Sequence, residues 1–405
     1  MVDTLKHHQA LVDLTKEIDA PFFFYDLDIL QSHIKTLQTL PVNLWYALKA
    51  NPLSAIITTL NNEGMRFDVA SIGELDQVLK QGVKPQNILH TGPAKSYEQL
   101  GYFIDQGVRK FVIESTQQLQ DVQSIANEKQ VHIDVLLRVQ LQWHDAEKNV
   151  LGGECVTPFG LSPDDWIAYA KNNDLDCPYL NILGFHCFQW GNILCIDKLE
   201  RIWFTIAHTL NELAETMGID LRVLDLGGGL GIDYQHEGQE LSLAEINALI
   251  LKLKNHYPQT EIWLELGRYA VAKCGVYVTE VVDRKTVYER DMLILAGGSQ
   301  HLMRPTLTSQ AFPVSLLRES STTLSKMHLH GALCTSLDYL GEVQLPSDTK
   351  AQDHIIFHYT GAYGFTESMP FFLCHTLPAE VIYQKGKKEQ IKILRKAEAA
   401  GVWLK

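Results

Sequence analysis

The chain has 405 residues, 46% of them hydrophobic and 20% charged, and a formal net charge of -13, enough apolar side chain for a large core in about two or three domains. That acidic balance, with no basic run anywhere, argues against a nucleic-acid or anionic-membrane partner, since either requires an accessible field of Lys and Arg. The N-terminus, Met1 to His8, lacks an apolar core of signal-peptide length and no later stretch approaches a membrane span, so the chain reads as cytoplasmic.

Along the chain, short apolar runs rich in β-branched or aromatic residues alternate with longer helical patterns. The runs fall at Asn43 to Leu48, Phe67 to Ala70, Ile88 to Thr91, Phe111 to Ile113, His132 to Val139, Ile182 to Phe188, Arg222 to Leu226 and Glu261 to Leu266. Helical stretches such as Ile72 to Gln81, Thr116 to Glu128 and Leu199 to Met217 lie between them. Eight βα units in series predict an α/β fold, a (β/α)8 barrel with every strand C-terminus on one face, an open doubly wound sheet being the alternative. After about Tyr269 the texture changes to strand runs without intervening helices, including Gly275 to Val282, Met292 to Ala296 and His354 to Thr360, which predicts a second, all-β domain. Seven cysteines, at 155, 177, 187, 195, 274, 334 and 374, form no CxxC pair and are odd in number. This disfavours a disulfide framework or a structural zinc site, no metal is expected, and most of the cysteines should be buried thiols.

The strand ends carry the chemistry. The first run closes on Tyr46-Ala47-Leu48-Lys49-Ala50-Asn51, a lysine at the end of an apolar segment. Burial disfavours the charged amine and makes accessible the neutral nucleophile that forms an imine with an aldehyde, which fits pyridoxal phosphate. Alone, Lys49 also reads as a strand-end residue whose ammonium snorkels to water. Asp225-Leu226-Gly227-Gly228-Gly229-Leu230-Gly231 closes the seventh run. Its glycines let backbone N–H groups approach a phosphate, or simply make a tight turn. Glu265-Leu266-Gly267-Arg268 offers a carboxylate and a guanidinium from one turn after the eighth run. They read either as a surface ion pair or, with the cofactor present, as partners of a pyridine nitrogen and of a phosphate or substrate carboxylate. His186 is either a satisfied core histidine or a group that stacks on the cofactor ring.

Taken in order, these segments resemble the fold-type III pyridoxal-phosphate decarboxylases, the group that contains ornithine and diaminopimelate decarboxylases, over nearly the whole length. Tyr46 to Asn51 resembles the cofactor-lysine motif, Phe67-Asp68-Val69-Ala70-Ser71 through Glu74 the next strand end, and His90 to Lys95 the third. Gly184-Phe185-His186-Cys187 resembles the ring-stacking histidine segment, Gly227, Gly228 and Gly229 the phosphate glycines, and Glu265 to Arg268 the pyridine-nitrogen carboxylate with its arginine. Gly331-Ala332-Leu333-Cys334-Thr335-Ser336-Leu337-Asp338 resembles the catalytic-cysteine loop and Gly361-Ala362-Tyr363-Gly364 the phosphate-contacting tyrosine. The resemblance implies an alanine racemase-like fold: a cofactor-binding barrel over residues 29–268, and a β-sandwich or β-barrel domain from residues 1–28, with a strand around Phe22 to Tyr25, plus 269–405. It implies pyridoxal 5'-phosphate held by Lys49, Asp68, His186, the three glycines, Glu265, Gly267, Arg268 and Tyr363. It also implies a homodimer in which the Cys334 loop of one subunit completes the site of the other, the remaining cysteines being buried thiols.

By the same resemblance Lys49 and Cys334 are the catalytic groups, and Glu265 favours decarboxylation where an arginine would favour racemisation. Relatives that act on a free distal amine carry an acid directly after the cysteine, and here that position is Thr335, although Asp338 is nearby. Gln189-Trp190-Gly191-Asn192 stands where a serine is expected after the histidine, and Leu266 replaces the usual proline. Ser299-Gln300-His301-Leu302-Met303-Arg304-Pro305 resembles the segment with a carboxylate-binding arginine, although Arg304 also reads as a surface arginine. With Arg268, Arg304, Thr335, Asp338 and Tyr363 as substrate contacts, the expectation is a small-molecule amino acid conjugated at its far end, such as N-citrylornithine or another citryl-diamino acid of carboxylate siderophore biosynthesis. A meso-diaminopimelate decarboxylase is the runner-up; a racemase and an inactive cofactor-binding regulatory homologue are minor alternatives.

Overall fold

The computed structural model describes residues 6–142, 156–173, 175, 177–235, 238 and 240–399. It comprises two compact units. One consists of Ile34–Ile232 with Gln239–Gly267, the other of Met1–His33, Asp233–Gly238 and Arg268–Lys405.

In the first unit, parallel strands Asn43–Ala47, Arg66–Val69, Ile88–His90, Lys110–Ile113, Ile133–Arg138, Leu180–His186, Val223–Asp225 and Glu261–Leu266 pair in chain order and close, with Leu44 opposite Leu264. This is a (β/α)8 barrel, and closure removes the open doubly wound alternative, which would leave two sheet edges. Side chains alternate across a strand, and Trp45, Leu89, Val112, Leu136, Val223 and Trp263 pack together as a buried core, the two indoles with centroids 5.0 Å apart. Serines set the start of the intervening helices. Ser71, Ser96, Ser115, Ser162 and Ser242 accept the backbone N–H three residues on, opening helices Ile72–Lys80, Tyr97–Asp105, Thr116–Lys129, Pro163–Asn172 and Leu243–His256. Each satisfies a donor that the first helical turn leaves unpaired.

In the second unit, Phe22–Asp26 pairs antiparallel with Gly275–Val287 and parallel with Ala379–Tyr383, so one sheet joins strands from both ends of the chain. Arg290–Leu295, Val314–Leu316, Leu324–His330, Tyr339–Pro346, His354–His358 and Ile391–Arg395 complete the nine strands. Phe22, Phe24, Val276, Val278, Ile356 and Val381 form its core with Leu11 and Leu14 of helix His8–Glu17. No helix among the described residues is long and apolar enough to cross a membrane.

The cysteines correct the expectation of mostly buried thiols. Cys177, Cys187 and Cys274 are buried, but Cys195, Cys334 and Cys374 are exposed, and Cys155 lies outside the described residues. The exposed ones sit in connections: Cys195 immediately precedes helix Ile196–Met217, and Cys374 ends the short turn Phe372–Cys374.

Candidate active site

Strand register gathers the charged groups of the barrel at one rim. Ala47 pairs with Asp68, Arg138 with His186 and His186 with Asp225, pairs at or next to the C-terminal ends of their strands, and Glu265, opposite Trp45, is the last residue but one of its own strand. Lys49 follows in the 3-10 turn Leu48–Ala50 rather than in the strand, and it is exposed while Leu48 and Ala50 are buried. The burial expected for its amine is therefore absent, because the turn lifts the side chain to the rim.

His186 Nε2 stands 3.4 Å from Glu265 Oε1, and both His186 ring nitrogens and that carboxylate oxygen lack a hydrogen-bond partner among the described residues. Asp225 accepts the Gly227 N–H at 2.9 Å through Oδ1, while its buried Oδ2 has no partner among the described residues. Thr91 donates to Asp68, and Glu74 accepts the Ala70 N–H at 2.6 Å. The ligand atoms of His186, Asp225 and Glu265 lie within 4.8 Å of one another.

Carboxyls this crowded cannot all keep their charge. Burial, then the Glu265 charge, pushes both Asp68 and Asp225 well above the usual carboxylate range. Burial pushes Glu265 up as well, but the attraction of His186, with Lys49 and Arg138, outweighs it and holds that carboxyl below its usual value. Glu265 is thus the carboxyl most favoured as the anion, while Asp68 and Asp225 are shifted toward their protonated forms.

Gly227, Gly228 and Gly229 follow Asp225 in a turn closed to larger residues. Gly227 and Gly229 have φ of +61° and +97°, and a Cβ on Gly228 would meet the Glu265 carbonyl oxygen at 2.3 Å. These positions demand glycine irrespective of any ligand. Gly267 lies in the bend after strand Glu261–Leu266.

A buried network at the same strand ends escaped the sequence reading. Arg138 donates to Glu114 at 3.0 Å, and the Lys95 ammonium, fully buried, lies 3.8 Å from the same carboxylate oxygen and donates to the Gly92 carbonyl. Burial, opposed by Glu114, pushes Lys95 down to about 8; burial, then the Lys95 charge, pushes His90 to about 3. The signal was available: Arg138, like Lys49, is a cation ending an apolar run.

The sheet unit holds a second cluster. The guanidinium carbons of Arg304 and Arg268 lie 4.4 and 5.3 Å from the Tyr363 ring centroid, and Arg304 Nη1 donates to Glu367 Oε2 at 2.7 Å. Tyr363 itself takes φ of +52°. Cys334 and Thr335 occupy the loop between strands Leu324–His330 and Tyr339–Pro346, the thiol exposed. Asp338 closes that loop from inside: it is buried and accepts the N–H groups of Ser299 at 2.6 Å and Leu333 at 2.7 Å. Its carboxylate therefore pins the loop.

The model of a family described as "Pyridoxal-dependent decarboxylase, pyridoxal binding domain" matches residues 27–272. Among curated proteins, the chain is 31% identical over 390 residues to the 2-[(L-alanin-3-ylcarbamoyl)methyl]-2-hydroxybutanedioate decarboxylase of Staphylococcus aureus, covering 91% of this chain and 94% of that one. It is 27% identical to the L-glutamyl-[BtrI acyl-carrier protein] decarboxylase of Niallia circulans, covering 94% and 92%. The diaminopimelate decarboxylase of Campylobacter jejuni is also 27% identical, at 95% coverage of both chains. The crystal structure of diaminopimelate decarboxylase from Helicobacter pylori complexed with L-lysine superposes with a TM-score of 0.84 at 23% identity, over 96% of this chain and 97% of that one.

Proposed function

Because this chain belongs to the pyridoxal-dependent decarboxylases, we propose that it removes the α-carboxylate of an amino acid conjugated at its far end, the leading case being a citryl-diamino acid such as N-citrylornithine. The enzyme is a pyridoxal-phosphate-dependent carboxy-lyase. Its residues fit that cofactor: Glu265 Oε1 and the His186 nitrogens are buried without hydrogen-bond partners among the described residues.

Pyridoxal phosphate supplies an aldehyde for the substrate amine and a ring that takes up the electron pair left when CO2 departs. In this reading Lys49 Nζ is the amine that would hold the cofactor through its aldehyde until a substrate amine takes that place. Glu265, held ionised, keeps a proton on the ring nitrogen. Asp68 and Asp225, both shifted toward their protonated forms, compete less for that role. His186 would pack on the ring, and Gly227 to Gly229 would offer N–H groups to the phosphate, as Tyr363 and Arg268 would offer a hydroxyl and a guanidinium. Cys334 returns a proton to the α-carbon.

The observation that carries the substrate assignment is the cysteine loop. Thr335 stands where relatives that take a free distal amine carry an acid, and Asp338, the nearby acid, is occupied by two backbone N–H groups. A free distal ammonium finds no counter-ion in that loop, whereas an acylated nitrogen needs none. The Staphylococcus aureus relative supports this reading, since the substrate in its name is an alanine joined through an amide to a hydroxybutanedioate. The chain acts as a homodimer in which Cys334 of one protomer serves Lys49 of its partner, and Arg304 receives a substrate carboxylate.

The test is a CO2-release assay of the cofactor-loaded enzyme with N-citrylornithine, its shorter diamino-acid analogues and free meso-diaminopimelate, beside an absorbance scan of parent and Lys49→Ala. Release from the citryl conjugates only, with a visible band lost in Lys49→Ala, is the expected result. Efficient release from meso-diaminopimelate and none from conjugates would replace the proposal with the diaminopimelate decarboxylase reading.

A further inference from the structure

The Arg304–Glu367 pair poses a question that a simple carboxylate receptor does not. Arg304 is anchored twice, by its face against Tyr363 at 4.4 Å and by the 2.7 Å hydrogen bond from Nη1 to Glu367 Oε2. The contact with Tyr363 does not involve Glu367, so the arginine has an anchor besides the acid. The bond engages one N–H of the five that a guanidinium offers, and the Glu367 side chain is 37% exposed against 16% for Arg304. An acid half open to solvent, beside an arginine with that second anchor, is available to a ligand.

Tyr234 supplies an independent sign that ligand chemistry belongs here. Its hydroxyl is buried without a hydrogen-bond partner among the described residues. It lines a groove with Pro305 and Thr306, next in the chain to Arg304, and with Ser336 and Leu337 of the cysteine loop. Arg268, Arg304, Tyr363 and Glu367 all lie close enough to act electrostatically on that phenol. The groove thus holds a buried, unsatisfied hydroxyl within electrostatic reach of Arg304 and Glu367.

We propose that Glu367 is a specificity residue: it accepts the hydrogen-bond donor that accompanies the remote carboxylate of the substrate, while Arg304 holds that carboxylate. A citryl group offers both, a carboxylate and a tertiary hydroxyl on adjoining carbons. A group with a carboxylate alone would set its charge against Glu367 with nothing to offer the acid. This rests on the reading that the substrate carries such a remote group, and the probes below separate the two.

Calorimetric titration of the cofactor-loaded enzyme with citrate and with tricarballylate, which has the same three carboxylates and no hydroxyl, reads the role of Glu367 without catalysis. The parent should bind citrate more tightly; in Glu367→Ala that preference should shrink by about tenfold, the scale of one hydrogen bond to a charged group. Arg304→Gln should weaken both ligands together. Where the parent prefers citrate, a citrate-to-tricarballylate ratio unchanged in Glu367→Ala overturns the proposal, and that includes an equal loss for both, the signature of an acid that only positions Arg304. If citrate shows no preference but meso-diaminopimelate binding drops in Glu367→Ala, the donor read by Glu367 is an ammonium. Glu367 then keeps its role and the citryl assignment falls. Loss of response to all three probes in a Glu367→Gln variant that melts like the parent would also overturn it, since the amide preserves size and an acceptor.

Discussion

A carboxyl sealed into a protein with one oxygen unbonded is held there at a cost, and Asp225 is such a group. Its folded-state pKa is raised, so the folded chain keeps a proton that the unfolded chain releases above about pH 4. Stability therefore falls with pH between the unfolded and folded values. Asp225→Asn removes that dependence while its amide oxygen still accepts the Gly227 N–H. In the apoprotein the variant should gain on the parent as pH rises above about 4, by up to about 1.4 kcal/mol per pH unit. Urea unfolding of both proteins at several pH values measures it, and a pH-independent difference would contradict the assignment. Such states were hidden from the sequence, where Asp225 read only as the residue before a glycine turn. Burial and then the Glu265 charge raise its pKa, and the pairing of strand Val223–Asp225 with strand Glu261–Leu266 brings that acid near. Lys49 shows the reverse case: its position was legible because a cation closed an apolar run, yet its exposure was not, since the 3-10 turn is a local geometry that composition does not specify.

At the scale of elements, the barrel was the readable half. Its strands are continuous apolar runs because helices cover them on one side and core side chains on the other, and Glu261–Leu266 falls where the pattern placed it. The sheet unit was less readable because its strands are partly solvated. Leu324–His330 and Tyr339–Pro346 mix buried and exposed positions, and Gly275–Val287 extends past Val282 into a largely exposed stretch. Polar connections between barrel strands also conceal load on the fold, and the Lys95, Glu114 and Arg138 cluster ties three of them. One acid there answers two cations, so Glu114→Gln leaves both charges buried without compensation. The expected loss is about 3–5 kcal/mol, the scale of removing one partner from a buried pair. Chemical denaturation is the measurement, and the Lys95 pKa should fall further below about 8, because Glu114 is the principal group raising it. A loss under about 1 kcal/mol, typical of an exposed pair, would mean water already shields the site.

The whole molecule divides the groups proposed to act between its two units: Lys49 and Glu265 belong to the barrel, Cys334 and Tyr363 to the sheet unit. A chain built this way can complete its chemistry within itself or by exchange with a second copy, and the two cases differ in what two damaged copies do together. Lys49→Ala and Cys334→Ala are each expected to be nearly inactive alone. If sites are shared across a homodimer, random assembly of equal amounts makes half the dimers mixed, and in each mixed dimer one site receives both lost groups while the other keeps both intact. Activity should then return to roughly a quarter of the parent. Co-expression with two affinity tags isolates the mixed species, whose CO2 release per dimer should approach half that of the parent. If each chain instead serves its own site, every mixed dimer carries one lysine-less and one cysteine-less site and stays inactive. Recovery therefore separates shared from self-contained sites, because no rearrangement within one chain can restore a side chain it lacks.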